Sequence, residues 1–181
     1  DYALLMIYAN WSYLKNHSSD SSSYANRRLG WVQCLAGKRE SRRLAGDLIL
    51  TENDIVDAVE YPDGTASTSW SIDLHMPLPE NSRFFPGREF RTCAEHEYFE
   101  PYPIPYRCLY SRNIPNLFMA GRNVSATHVA LGSVRVMRTC AMMGEVVGLA
   151  ARVCKAHDAD PKRVYSDYLE DLKAQMREGA G

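Results

Sequence analysis

Asp73 and His75 stand two apart in a stretch where Trp70, Ile72 and Leu74 alternate with polar residues. In an extended strand that spacing puts both side chains on one face, where a carboxylate can orient an imidazole for proton transfer. The same pattern also suits a strand-end histidine that makes a local bond. Upstream lies a basic knot, Lys38 to Arg43. Its Arg39, Arg42 and Arg43 can clamp an anion through planar guanidinium forks, or pair internally with Glu40 and Asp47. Downstream, apolar Leu117 to Ala120 run into Gly121-Arg122-Asn123, then Ser125-Ala126-Thr127-His128, then Gly132-Ser133-Val134-Arg135. Gly121 lets backbone approach a ligand closely. A helix starting at Ser133 presents unpaired N–H groups and partial positive charge to an anion or an electron-rich oxygen. His128, in the loop between, can exchange a proton or hold the loop by a hydrogen bond.

The elements that position these groups follow from periodicity. Leu4, Ile7, Tyr8, Trp11 and Leu14 predict a helix over 3–15 packed on a core, followed by a serine-rich loop at 18–23. Leu48, Ile49 and Leu50 read as a strand, and Thr51 with Asp54 as the cap of a helix carrying Ile55, Val56 and Val59. Pro62-Asp63-Gly64 marks a turn before the Trp70–Leu74 strand, which ends at Pro77. Prolines at 77, 79, 86, 101, 103 and 105, with Pro115 beyond, exclude continuous helix or central strand in that stretch. Residues 104–110 and 116–120 are short strand candidates. A long helix is predicted from Ser133 to Lys155, with Ala141, Gly144, Gly148 and Ala151 forming a small-residue face for tight packing or for a cofactor. Asp160 caps, and Pro161 opens, a last helix to Arg177.

Composition narrows the function. The 181 residues are 45% hydrophobic and 24% charged, enough for a substantial core. A net charge of -1, with both signs interspersed, argues against a nucleic-acid partner. Five scattered cysteines include no C-x-x-C pair, so they read as reduced, mostly buried thiols and not as a metal site. No apolar run reaches the ~20 residues of a membrane span. The sequence starts at Asp1 in a helical pattern, as expected of a piece of something longer, so the compartment is not readable.

The stretch from Ile114 to Ala151 resembles the C-terminal flavin-binding motif of FAD-dependent oxidoreductases of the kind labelled xanthan lyase-like: an apolar strand, Ala-Gly-Arg, Ser-x-Thr-His, and Gly-Ser-x-Arg-Val-Met before a glycine-containing helix. Blocks in the same order extend the likeness upstream: Gly37 to Arg43, Gly46-Asp47, Leu50-Thr51, Ile72 to His75, and Ile104 to Leu109. The resemblance implies an α/β fold, the C-terminal part of a Rossmann-like FAD-binding domain with part of an inserted substrate domain. It divides the chain into 1–110 for the substrate or cap portion, 111–156 for the FAD domain and 157–181 for a final helix.

By the same resemblance FAD is the cofactor. Gly121, Arg122, Asn123 and Ser125 lie toward ribityl and pyrophosphate, and Gly132, Ser133, Val134 and Arg135 toward the pyrimidine side of the flavin. His75, His128 and Arg43 are the catalytic candidates, with Tyr106 and Arg107 on the substrate side. A small-molecule substrate then passes a hydride to flavin N5. Arg122 departs from the acidic residue that many flavoproteins carry after this glycine. The G-x-G-x-x-G turn is also missing, so the pyrophosphate cradle belongs to an N-terminal portion acting as partner, and the piece alone should bind FAD poorly. A non-catalytic interaction module is the competing expectation.

Overall fold

A computed structural model describes residues 2–35, 37, 40, 42–77 and 92–179, with backbone only at 2, 76, 77, 92 and 93. Arg39 and the prolines at 79 and 86 lie outside the described residues. The chain divides into two units, residues 1–39 and 40–181.

In the first unit the helical spacing is realised as α1 (Tyr2–Asn16), and the serine loop contains a single turn, α2 (Ser21–Tyr24). Lys15 Nζ donates to the carbonyls of Tyr24, Ala25 and Arg27, and Trp11 meets Tyr24 edge-on at 6.0 Å. The expected core-facing stripe differs from the structure, since Ile7 and Tyr8 stay exposed.

In the second unit Thr51 caps α3 (Glu52–Val56) with a capping box closed by Asp54. Ala58 adopts φ 50, in the left-handed region, so α3 stops before Val59. The Pro62-Asp63 turn feeds β1 (Gly64–Thr68), and β2 (Ile72–Pro77) follows. After the undescribed 78–91 come β3 (Thr92–Glu97) and β4 (Tyr102–Pro105). Among the described residues these form antiparallel ribbons, β1 with β4 and β2 with β3, the latter setting Asp73 opposite His96 and His75 opposite Ala94.

The other strand candidates shrink to single bridges, Leu50 parallel to Ala126 and Tyr110 antiparallel to Phe118, while residues 106–108 form a 3-10 turn. The long helix expected from Ser133 is two helices, α4 (His128–Val134) and α5 (Met137–His157). The last helix likewise breaks at Tyr168 into α6 (Pro161–Asp167) and α7 (Leu169–Gly179), with Asp160 capping α6 as expected. One core joins these pieces, with Leu50, Ile104, Tyr106, Leu131, Met143 and Leu172 fully enclosed. The fold is thus of mixed α and β type. Cys108 is buried, and burial pushes its thiol up; Cys34, by contrast, is exposed.

Candidate functional site

The break between α4 and α5 creates the site. Thr127 caps α4 by accepting from the Ala130 N–H, so the helix starts one turn earlier than Ser133. Its far end is tied to β2 and to the residues just before it: Ser133 Oγ donates to the Trp70 carbonyl at 3.0 Å, and Arg135 Nη2 donates to the Asp73 carbonyl of β2 at 3.0 Å. Gly132 permits the approach, because a Cβ there would stand 2.9 Å from Asp73 O and 3.0 Å from Asp73 N. With α4 anchored, the chain turns at Val136 (ψ 150) and α5 begins afresh. Gly132 to Arg135 therefore form the end of α4, against the expectation of a helix start there, and Ser133 and Val134 are buried.

Sequence reasoning missed the true start of the long helix. Val136 offers no side-chain cap, so the first turn of the 21-residue α5 keeps N–H groups without that partner. These groups border a cavity of about 800 Å³ lined by Trp70, Arg135, Met137, Arg138, Thr139 and Met142, among others. Met137 is 90% exposed and Trp70 49%. Positive helix end, two guanidinium groups and two uncovered apolar side chains make a pocket for a flat apolar ligand with an electron-rich edge.

On the other side of Arg135 lies Asp73. The expected Asp73–His75 pair is present, with His75 Nε2 3.0 Å from Asp73 Oδ1. His96, which the sequence reading did not select, adds its Nε2 at 3.9 Å, and Arg135 Nη2 stands 3.4 Å from Oδ2. Burial opposes ionisation of Asp73, but His75, Arg135 and His96 outweigh it and hold the carboxyl below its usual range.

His128 and Arg43 converge elsewhere, on Glu40. His128 Nδ1 lies 2.8 Å from both Glu40 oxygens, and Arg43 forms an ion pair with the same carboxylate. Burial raises the Glu40 pKa, and the hydrogen bonds and electrostatic contacts from His128 and Arg43 more than reverse this. His128 remains largely exposed at 63%.

The Gly121 turn is a 3-10 segment, Gly121–Asn123, beside the start of α5, with Gly121 at φ 75 and Cys140 Sγ 3.6 Å from where its Cβ would be. Asn123 accepts from Leu44 N–H through its carbonyl, and Arg122 is exposed and engaged in an interaction of its own. Ser125 is buried and donates to the Leu48 carbonyl at 2.7 Å, which fixes the loop. Tyr106 and Arg107 are structural: the Tyr106 hydroxyl donates to Pro161 O, while Arg107 holds buried Asp63 and lies between the rings of Tyr61 and Tyr165.

Comparison with known proteins decides the family. The family model described as FAD dependent oxidoreductase matches residues 4–176. The chain belongs to the FAD dependent oxidoreductase family. It is accordingly a flavoprotein of oxidoreductase type, and FAD is its cofactor. No curated protein and no solved structure matches it. Among the described residues no group of His, Cys, Asp and Glu is placed to hold a metal, and no helix is long and apolar enough to cross a membrane.

Proposed function

We propose that this chain is the C-terminal portion of an FAD-dependent oxidoreductase of the xanthan lyase-like kind, and that the flavin end of FAD occupies the cavity at the start of α5. The observation that carries this reading is the uncapped α5 start with Met137 and Trp70 exposed beside it. Apolar side chains set beside unpaired N–H groups suit a ligand that is apolar over its face and electron-rich at one edge.

The residues present fit the isoalloxazine end of the cofactor. The described residues include no parallel β-α-β unit, and the sequence carries no glycine fingerprint for the pyrophosphate. The reading therefore includes an N-terminal portion that completes a Rossmann-like FAD domain. In it residues 1–110 belong to the cap side, 111–156 to the FAD domain and 157–181 to a terminal helical segment. The exposed small-residue face of α5 supports it: at Gly144 and Gly148 an added Cβ meets none of the described residues of the second unit within 4 Å, leaving room for a close-packed neighbour.

When bound, FAD supplies the two-electron acceptor, N5 taking the substrate hydride. The protein residues do the rest. The α5 N–H groups, with Arg135 and Arg138, stabilise negative charge in the cavity. Met137 and Trp70 cover apolar surface and exclude water. Gly121, Arg122 and Asn123 line the approach on the ribityl and pyrophosphate side. Ser125, Gly132, Ser133 and Val134 act by holding that architecture. His75, its ring fixed by Asp73, accepts the substrate proton, and Arg43 and His128 orient the substrate from the Glu40 side.

The test is an absorbance spectrum of the parent protein and of this chain, each with and without added FAD, at the flavin bands near roughly 370 and 450 nm. Bands in the parent and weak or no uptake by the chain support a split site. A folded parent that takes up no flavin refutes the reading.

A further inference from the structure

Asp73, on β2, lies behind Arg135 and not in the lining of the cavity. The residue is 9% exposed, and its buried Oδ1 receives no well-angled hydrogen bond. That oxygen faces His75 Nε2 at 3.0 Å and His96 Nε2 at 3.9 Å, while Oδ2 faces Arg135 Nη2 at 3.4 Å. Arg135 also lines the cavity. The two imidazoles are about a third exposed, at 35% and 36%, and so can exchange protons with water. One carboxylate thus has a permanent cation on its inner side and two titratable groups on its outer side.

We propose that Asp73 is a positioning residue shared between Arg135 and the His75/His96 pair, so that the positive charge Arg135 offers to an anionic ligand in the cavity depends on imidazole protonation. The inference rests on the flavin reading of that cavity. Protonated imidazoles claim the carboxylate and release Arg135 toward the ligand; neutral ones leave it to Arg135. Linkage requires the converse: an anion that draws Arg135 away raises both imidazole pKa values.

Other groups near the pair are accounted for among the described residues. Ser71 Oγ sits 2.8 Å from His96 Nδ1, and Tyr98 stacks on the same ring. Glu95 and Glu97 of β3 and Glu52 of α3 border the groove beside His96. On α4 the titratable side chain is His128, which is paired with Glu40.

The experiment follows imidazole ring protons by NMR titration of the chain, with His75 and His96 assigned by His75→Gln and His96→Gln. Arg135→Gln should raise both pKa values by about half a unit or more, and Asp73→Asn should lower them. If either variant is unfolded, the other still decides, and values unchanged from the parent sequence overturn the proposal. FAD is then titrated to millimolar concentration, with the amides of Met137 to Thr139 as reporters. A half-unit rise in each of the two imidazole pKa values corresponds to binding up to about tenfold tighter at pH ~5 than at pH ~8. Equal affinity at both pH values overturns the coupling and leaves FAD in the cavity. Imidazoles that respond to Arg135→Gln in a chain that binds no FAD uphold the sharing of Asp73, and the flavin bands of the parent protein then decide the flavin reading separately.

Discussion

Asp63 and Arg107 show how much a single pair can carry. Asp63 is fully buried, and Arg107 reaches it through Nε at 3.0 Å, Nη2 at 2.9 Å and its own backbone N–H at 3.0 Å. Asp63→Ala leaves the guanidinium without its counter-charge between Tyr61 and Tyr165, and should cost roughly 3–5 kcal/mol in urea unfolding. Arg107→Lys keeps the charge but loses the fork, so it should also destabilise. Asp73 makes a different, pH-dependent contribution. Its folded pKa is depressed below the usual 3.8, so the stability it brings is present above that value and lost as pH falls through the folded one. The stability gap between the native sequence and Asp73→Asn should therefore narrow as pH is lowered from about 5 toward about 2; a constant gap would show that the carboxylate is not paired. The two-residue spacing made Asp73 and His75 legible in the sequence, because a strand places such residues side by side. His96 was not legible: it reaches Asp73 only through pairing across a ribbon whose strands are separated by fourteen residues, 78–91, in the sequence. For Arg107 a likeness of sequence suggested substrate, while the buried carboxylate opposite it fixes a structural part.

The caps of the helices were the most readable elements. Thr51 with Asp54, and Asp160 before Pro161, satisfy local N–H groups, and local chemistry needs no tertiary knowledge. The start of α5 was unreadable for the opposite reason. Arg135-Val136-Met137 contains neither glycine nor proline, and the break comes from ties between the end of α4 and residues 70–73, which lie far apart in sequence. The two glycines marked as cofactor-facing separate on the same ground. Gly121 meets a left-handed backbone requirement (φ 75) beside the α5 start, and Gly132 meets a steric one against β2. The missing cap on α5 gives an element-scale prediction. Val136 has φ -72 and ψ 150, backbone that a capping residue adopts without strain. Val136→Ser and Val136→Asp should each stabilise the chain by about 1 kcal/mol in thermal unfolding. Both should weaken FAD binding by occupying the same N–H groups, the aspartate more strongly because its charge opposes an electron-rich ligand. Stabilisation with unchanged flavin affinity would place the ligand elsewhere.

At the scale of the whole molecule, α5 presents two faces with different partners. Met143, Val146, Ala150 and Val153 are buried in the core of the second unit. Ala141, Gly144, Gly148 and Ala151 lie on exposed positions along the same helix. Glycine within a helix costs about 1 kcal/mol relative to alanine, and among the described residues of the second unit nothing repays it, since an added Cβ at Gly144 or Gly148 meets none of them within 4 Å. Gly144→Ala and Gly148→Ala should therefore stabilise the isolated chain by roughly 0.5–1 kcal/mol each. The proposed N-terminal portion reverses the expectation. If a sheet of that portion packs on this face, helix and sheet approach to a distance set by the glycines, and a larger side chain forces them apart. Gly148→Leu should then leave the isolated chain folded and at least as stable by urea unfolding. In the parent protein it should lower the FAD content read from the flavin bands and reduce the melting temperature. Equal FAD content and stability in parent and Gly148→Leu parent would show that this face stays in water, and the small residues would then have no role in assembling the cofactor site.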